Sequence, residues 1–215
     1  MNASSITRRR ALAGIALVAM SQTAAAAPRP AVLSQQDRAL VARASAYLQG
    51  LTSAKGRFVQ TDARGAVSEG SFYLQRPGKA RFAYDPPSGL VIASNGKVVN
   101  ILNTRLRTFA SYYLRLTPLA LLLARDIRLD QGVAVSKVTR LADGFSIMAS
   151  DARKRAEGTI TLDFSAAPIR LLGWTTTDAQ GGATRVRLVD FAPTGALDPK
   201  LFDLANPGYV RAPRI

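Results

Sequence analysis

The chain has 215 residues, 47% of them apolar, and a formal net charge of +15 with neither histidine nor cysteine. The apolar share excludes disorder for most of the length, and the length allows one good core or two small ones. The missing histidine and cysteine exclude disulfides, thiol nucleophiles and Ser-His-Asp catalysis, and leave zinc, copper and haem without their usual ligands.

Arg8, Arg9 and Arg10 precede an apolar run from Ala11 to Met20, followed by the small-residue stretch Ser21 to Ala27. This order reads as the basic, apolar and cleavage regions of an export signal over residues 1–27. The alternatives are an amphipathic helix or a membrane anchor, although the run is short and weakly apolar for a span. Thr7-Arg8-Arg9 with Leu12 resembles a twin-arginine signal, and the general export route fits equally well. No cysteine follows that could carry a lipid. The signal holds three positive charges and no acid, which leaves +12 on the remainder. A basic surface of that size attracts phosphates, anionic headgroups or acidic proteins; generic solubility charge is the plainer reading. The cations are spread rather than blocked, which argues against a nucleic-acid tail.

Residues 28–33 read as a Pro-containing tether. Ser34 with Asp37 three residues on is a helix start. Leu40, Val41, Ala44, Tyr47, Leu48 and Leu51 then recur with helical period, predicting a helix over about residues 35–52. From there the period drops to two. Strands are predicted over 55–61, 67–75, 79–84, 90–94, 98–102 and 108–114, separated by Asp62-Ala-Arg-Gly65, Arg76-Pro77-Gly78, Asp85-Pro86-Pro87 and Asn95-Gly96. Asn95-Gly96 is the clearest hairpin signal, because a type I′ turn needs positive φ at both central residues. Thr117-Pro118 starts a short helix, with the hydroxyl as cap and proline at the first position. Leu119 to Ala124 is apolar all round, so it is either a core helix or a lid over a greasy cavity. Further strands follow over 133–141, 145–149, 159–164, 169–177 and 183–191, then a helical turn at Asp198-Pro199 to Phe202 and a last turn at Asn206-Pro207-Gly208. Ten or eleven short strands without βαβ alternation exclude a doubly wound parallel fold. A single antiparallel sheet of that length must curl, split or close.

Motifs that carry chemistry are missing. There is no G-x-S-x-G, no P-loop and no G-x-G-x-x-G. Ser146 and Lys154 do not form an S-x-x-K, and Asp126 and Asp130 flank Arg128. A carboxylate hydrolase would need two acids converging from different strands. What remains is apolar lining: Phe58, Phe72, Phe82, Tyr84, Phe164 and Trp174 lie in strands, and periodicity alone does not separate a filled core from a cavity.

An ordered set of segments resembles the periplasmic outer-membrane lipoprotein carrier family, LolA. Gly56-Arg-Phe58-Val-Gln60 and Glu69-Gly70-Ser-Phe72 match its first two strands. Arg76-Pro77-Gly-Lys-Ala-Arg81-Phe82-Ala-Tyr84-Asp-Pro86 and the hairpin Ser94-Asn95-Gly96-Lys97 follow. Thr117-Pro118-Leu119 to Leu123 resembles its proline-led lid helix, and Phe202-Asp-Leu204 with Pro207-Gly208 its C-terminal end. Two positions depart: Phe82 stands where tryptophan is common, and Val98-Val99-Asn100 follow the hairpin where an aromatic is usual.

The resemblance implies a mainly β (α+β) domain over residues 34–215. It would be a single curved antiparallel sheet forming an unclosed β-barrel, with helices as a lid over a hydrophobic cavity. It implies a monomeric periplasmic chaperone without cofactor, metal, nucleic acid or catalytic residue. Its partners would be acylated lipoproteins, an inner-membrane lipoprotein-releasing ABC transporter and an outer-membrane acceptor lipoprotein. Leu48, Phe58, Phe72, Phe82, Tyr84, Leu119, Leu122, Leu123 and Trp174 would line the acyl cavity and lid. Arg76 would gate the lid, since a guanidinium stays charged and offers five fixed donors to helix-end carbonyls; on the residues alone it is a solvated strand-end arginine. A carrier or sensor of another amphiphile, such as a glycolipid, is the alternative on the same scaffold.

Overall fold

The computed structural model describes residues 32–117, 119–127, 129, 133–151 and 158–211. The export signal, most of the tether, Pro118, Arg128, Asp130 and Lys154 lie outside them. No helix among the described residues is long and apolar enough to cross a membrane.

Helix α1 spans Gln35–Gly50. Its start is a reciprocal cap: the Ser34 hydroxyl accepts from the Asp37 N–H at 3.1 Å and donates to the Asp37 carboxylate at 2.7 Å. It ends two residues before the expected point, where Leu51 turns extended and its N–H bonds the Tyr47 and Leu48 carbonyls. Val41, Ala44 and Leu48 form its buried stripe.

The strands are β1 (Ser53–Thr61), β2 (Val67–Gln75), β3 (Lys79–Tyr84), β4 (Leu90–Asn95), β5 (Val98–Asn103) and β6 (Thr108–Tyr113). After them come β7 (Val133–Leu141), β8 (Gly144–Asp151), β9 (Thr159–Ser165), β10 (Leu171–Thr177), β11 (Ala183–Pro193) and β12 (Val210–Arg211). All belong to one sheet in the order β12-β6-β5-β4-β3-β2-β1-β11-β10-β9-β8-β7. Every pairing is antiparallel except that of β12, which lies parallel to β6. The sheet has two ends and does not close. Twelve strands exceed the ten or eleven expected, because β12 has no readable pattern of its own.

Alternation sorts the sheet into two faces. Phe58, Phe72, Phe82 and Trp174 share the concave face; Lys55, Arg57, Arg81 and Arg187 share the convex one. Gly70 belongs to the concave set, and a Cβ there would meet the Ala83 carbonyl at 2.3 Å and the Phe58 ring at 2.8 Å. Its missing side chain makes room for that ring.

Helix α2 spans Leu119–Leu123, preceded by a 3₁₀ turn at Leu114–Leu116 that sequence reasoning did not anticipate. The Thr117 hydroxyl donates to the Leu114 carbonyl at 2.8 Å instead of capping α2, because the 3₁₀ turn brings that carbonyl, which also accepts the Thr117 N–H at 2.9 Å, within its reach. Its backbone carbonyl accepts from the Ala120 N–H at 3.1 Å.

Both helices cover the concave face. Beyond β11 the chain crosses the convex face, where Arg81 donates to the Leu201 carbonyl at 3.1 Å and Asn100 to the Leu204 carbonyl at 2.8 Å. Phe202, in the expected helical turn, is buried there rather than in the main core.

Candidate functional site

The β2–β3 and β4–β5 turns share one end of the sheet with the C-terminal ends of α1 and α2. The first of these turns holds Arg76. Its N–H bonds the Thr52 carbonyl at 2.8 Å, which fixes the side chain beside the end of α1. Gly78, at φ 79°, packs against the β4–β5 tip so closely that a Cβ would sit 2.5 Å from the Gly96 Cα. The Gly78 N–H then reaches the Leu123 carbonyl of α2 at 2.8 Å.

The Arg76 guanidinium lies between the two helix ends. Nε and Nη2 donate to the Ala124 carbonyl at 3.0 and 2.7 Å, and Nη2 also to the Arg125 carbonyl at 3.0 Å. Nη1 donates to the Leu51 carbonyl at 3.2 Å and to the Leu48 carbonyl. The last carbonyls of a helix have no partner within it and carry partial negative charge, so a cation is the favoured neighbour. One side chain therefore joins α1, α2 and the β2–β3 turn. Burial pushes the Arg76 pKa down from its ordinary value, and the nearby Asp126 charge opposes that.

Two further ties were missed by sequence reasoning. Gln49 accepts from the Ile127 N–H at 3.0 Å and donates to the Arg125 carbonyl at 3.3 Å. The Ser45 hydroxyl accepts from the Leu129 N–H at 3.4 Å. Both lie off the apolar stripe of α1, where polar residues carry no signal separating a bond from a solvated face.

The structure places Leu48, Phe58, Phe72, Phe82, Leu122, Leu123 and Trp174 in one buried cluster, with Tyr84 and Leu119 packed against it. The wall is an aromatic chain. Tyr84 meets Phe58 edge-on with centroids 5.0 Å apart, Phe58 meets Phe82 at 5.5 Å, and Phe82 meets Trp174 at 5.9 Å. Phe72 stacks between Phe82 and Phe191. A second aromatic group joins Tyr47 of α1 edge-on to Phe164, with centroids 6.3 Å apart, and Phe164 stacks on Phe145 at 5.3 Å. Of these, Phe191, Tyr47 and Phe145 were not anticipated as lining. The Tyr84 hydroxyl donates to Gln60 at 2.6 Å, and burial pushes its pKa up to about 12.

The concave face is not bare: α1 and α2 fill it with their own side chains, leaving Phe58 and Leu123 each 1% exposed. Two hollows lined by described residues lie outside this core, one beside α2 and one on the convex face. The described buried polar residues are Ser53, Ser94 and Ser150, and no described carboxylate is buried. Among the described residues there is no cluster of three acids that could hold a metal.

No curated protein matches this sequence closely enough to count as a relative. Solved structures with a similar course include an uncharacterized conserved protein from Thermus thermophilus, at 14% identity and TM-score 0.48, covering 83% of this chain and 100% of that one. A LolA superfamily protein from Nitrosomonas europaea follows at 12% identity and TM-score 0.44, covering 78% and 97%. A putative outer membrane lipoprotein-sorting protein domain from Vibrio parahaemolyticus follows at 10% and 0.46, covering 76% and 94%. The family model described as outer membrane lipoprotein carrier protein LolA matches residues 49–205, from the end of α1 to the segment on the convex face, and the chain belongs to that family.

Proposed function

We propose that the chain is a periplasmic carrier. It takes acyl chains of lipoproteins under its two helices and conveys them from the inner to the outer membrane. The observation that carries this reading is the Arg76 guanidinium, which ties both covering helices to the rim of an apolar, aromatic-lined concave face. An exposed acyl methylene costs about 0.8 kcal/mol in water, so a multiply acylated protein needs a cover before it can leave a membrane. Leu48, Leu119, Leu122 and Leu123 occupy that cover. Acyl chains would displace them from Phe58, Phe72, Phe82, Tyr84 and Trp174, exchanging one apolar contact for another. No bond is made or broken, so no catalytic group is required. Arg76 is the gate in this scheme: its bonds hold the helices shut and are given up when a guest enters. The expected partners are acylated lipoproteins, a lipoprotein-releasing ABC transporter that loads the carrier, and an outer-membrane acceptor lipoprotein that unloads it.

Mass spectrometry of material copurifying with the exported protein tests the cargo, and triacylated proteins are expected. Copurification of free glycolipid alone would favour the other amphiphile reading. Arg76→Leu is expected to block delivery to outer-membrane acceptors while the sheet stays folded; normal delivery by that variant removes the gate.

A further inference from the structure

Beside the lid lies a hollow of about 660 Å³ that the carrier scheme does not use. Pro77, Leu114, Ala120 and Leu123 give it an apolar floor, so one wall is formed by α2 itself. Its charged lining residues are Lys97, Arg115 and Arg125, all exposed, and no carboxylate lines it. The ion pairs among the described residues involve Arg57, Arg140 and Arg185 and none of these three. Arg115 instead lies over the Tyr113 ring, 5.1 Å from its centre. That ring is 57% exposed and Leu116, in the adjoining 3₁₀ turn, is 42% exposed.

Three like charges around an apolar floor call for an anion. An amphipathic ring and a leucine interleaved with those cations match the boundary between lipid headgroups and acyl chains. There rings sit at headgroup depth, a leucine reaches lower, and cations meet phosphate. An acidic peptide would satisfy the cations and leave Tyr113 and Leu116 without a reason to be exposed. We infer that this hollow, with Tyr113 and Leu116 at its edge, is a contact patch for an anionic phospholipid surface. Docking there sets the lid edge against the headgroups, at the end of the sheet where Arg76 holds both helices. The patch is independent of cargo: a chain that carries no lipoprotein would still bind such a surface.

The test is cosedimentation of the cargo-free protein with phosphatidylcholine vesicles, with and without about 30% phosphatidylglycerol. Binding is expected on the anionic vesicles only, falling as added salt shortens the Debye length. At about 1 kcal/mol per cation, Lys97→Glu with Arg115→Glu should weaken it by roughly 25-fold or more. Arg64→Glu with Arg187→Glu, which changes the net charge equally, should keep it near the parent level. Arg64 is in the β1–β2 turn at the opposite end of the sheet, and Arg187 is exposed on the convex face. Because the chain has no cysteine, a polarity-sensitive dye on Lys97→Cys should respond to anionic vesicles while one on Arg64→Cys should not. That reading needs no charge-reversed variant to fold. Equal loss in both charge pairs, equal response of both dyes, or no binding of the parent to anionic vesicles overturns the patch.

Discussion

Replacing Arg76 by leucine removes the donors to four backbone carbonyls, those of Leu48, Leu51, Ala124 and Arg125. A bond from a charged donor contributes about 1.5–3 kcal/mol when buried. Arg76 is half-buried, so water can replace part of each. About 0.5–1 kcal/mol per carbonyl gives roughly 2–4 kcal/mol. The loss falls on lid closure rather than on the sheet, since the strand ladders do not pass through the guanidinium. At 1.4 kcal/mol per tenfold, the open form of the two helices becomes roughly 30- to 700-fold more populated. Hydrogen exchange reads this directly: amides of α2 and the last turn of α1 should speed up by that factor, while β1, β2 and β3 change little. Arg76→Lys should fall between, because an ammonium is a compact charge without the planar fork that spans two helix ends. Parent-like exchange in α2 would refute the clamp, and so would uniform acceleration across all strands.

Phe58→Ala should cost about 3–5 kcal/mol by denaturant unfolding, as Phe58 is fully buried and touches both Phe82 and Tyr84; a loss under about 1 kcal/mol would mean that the concave face is loosely filled. Tyr84 should titrate near 12 in the ultraviolet absorbance of tyrosinate. Its raised pKa favours the neutral phenol in the fold, so stability is intact below the ordinary value near 10 and falls as pH rises from there toward 12; Tyr84→Phe should abolish that late step. The Ser34 hydrogen bond, with Arg140 adding to it, holds the Asp37 carboxyl below the usual carboxylate range. Its contribution is present above the ordinary pKa and is lost as pH falls through the lower folded value, below about pH 4; melting temperature in that window should fall less in Asp37→Asn than in the parent.

Much of the sheet was legible because its turns carry their own chemistry. β2, β3 and β7 begin and end where expected. Asn95-Gly96 marked the β4–β5 hairpin but not its turn: Asn95 closes β4, the two-residue loop is Gly96-Lys97, and of these residues only Gly96, at φ 98°, has the positive φ that a type I′ turn needs twice. β12 was not legible: two residues have no period, and a parallel partner distant in sequence leaves no local mark. Alternation told which residues share a face but not what covers the opposite one, so the chain crossing Arg81 and Asn100 came only with the structure. The site was readable to the same degree. Apolar rings at alternate positions pointed to a shared wall, and the fold brings Phe58, Phe72, Phe82 and Trp174 together. The acceptors of Arg76 are backbone carbonyls, which every residue has, so no sequence pattern marks them. The resemblance, not the periodicity, singled out Arg76.

The sheet ends at β12 on one side and at β7 on the other, and these two do not pair. A fully sealed ring of strands has a girth fixed by strand number and stagger. This one is a split collar. Spreading it bends the strands without breaking a ladder bond between neighbours, so under the proposed scheme a thicker guest would cost the Arg76 bonds and side-chain packing but no strand pairing.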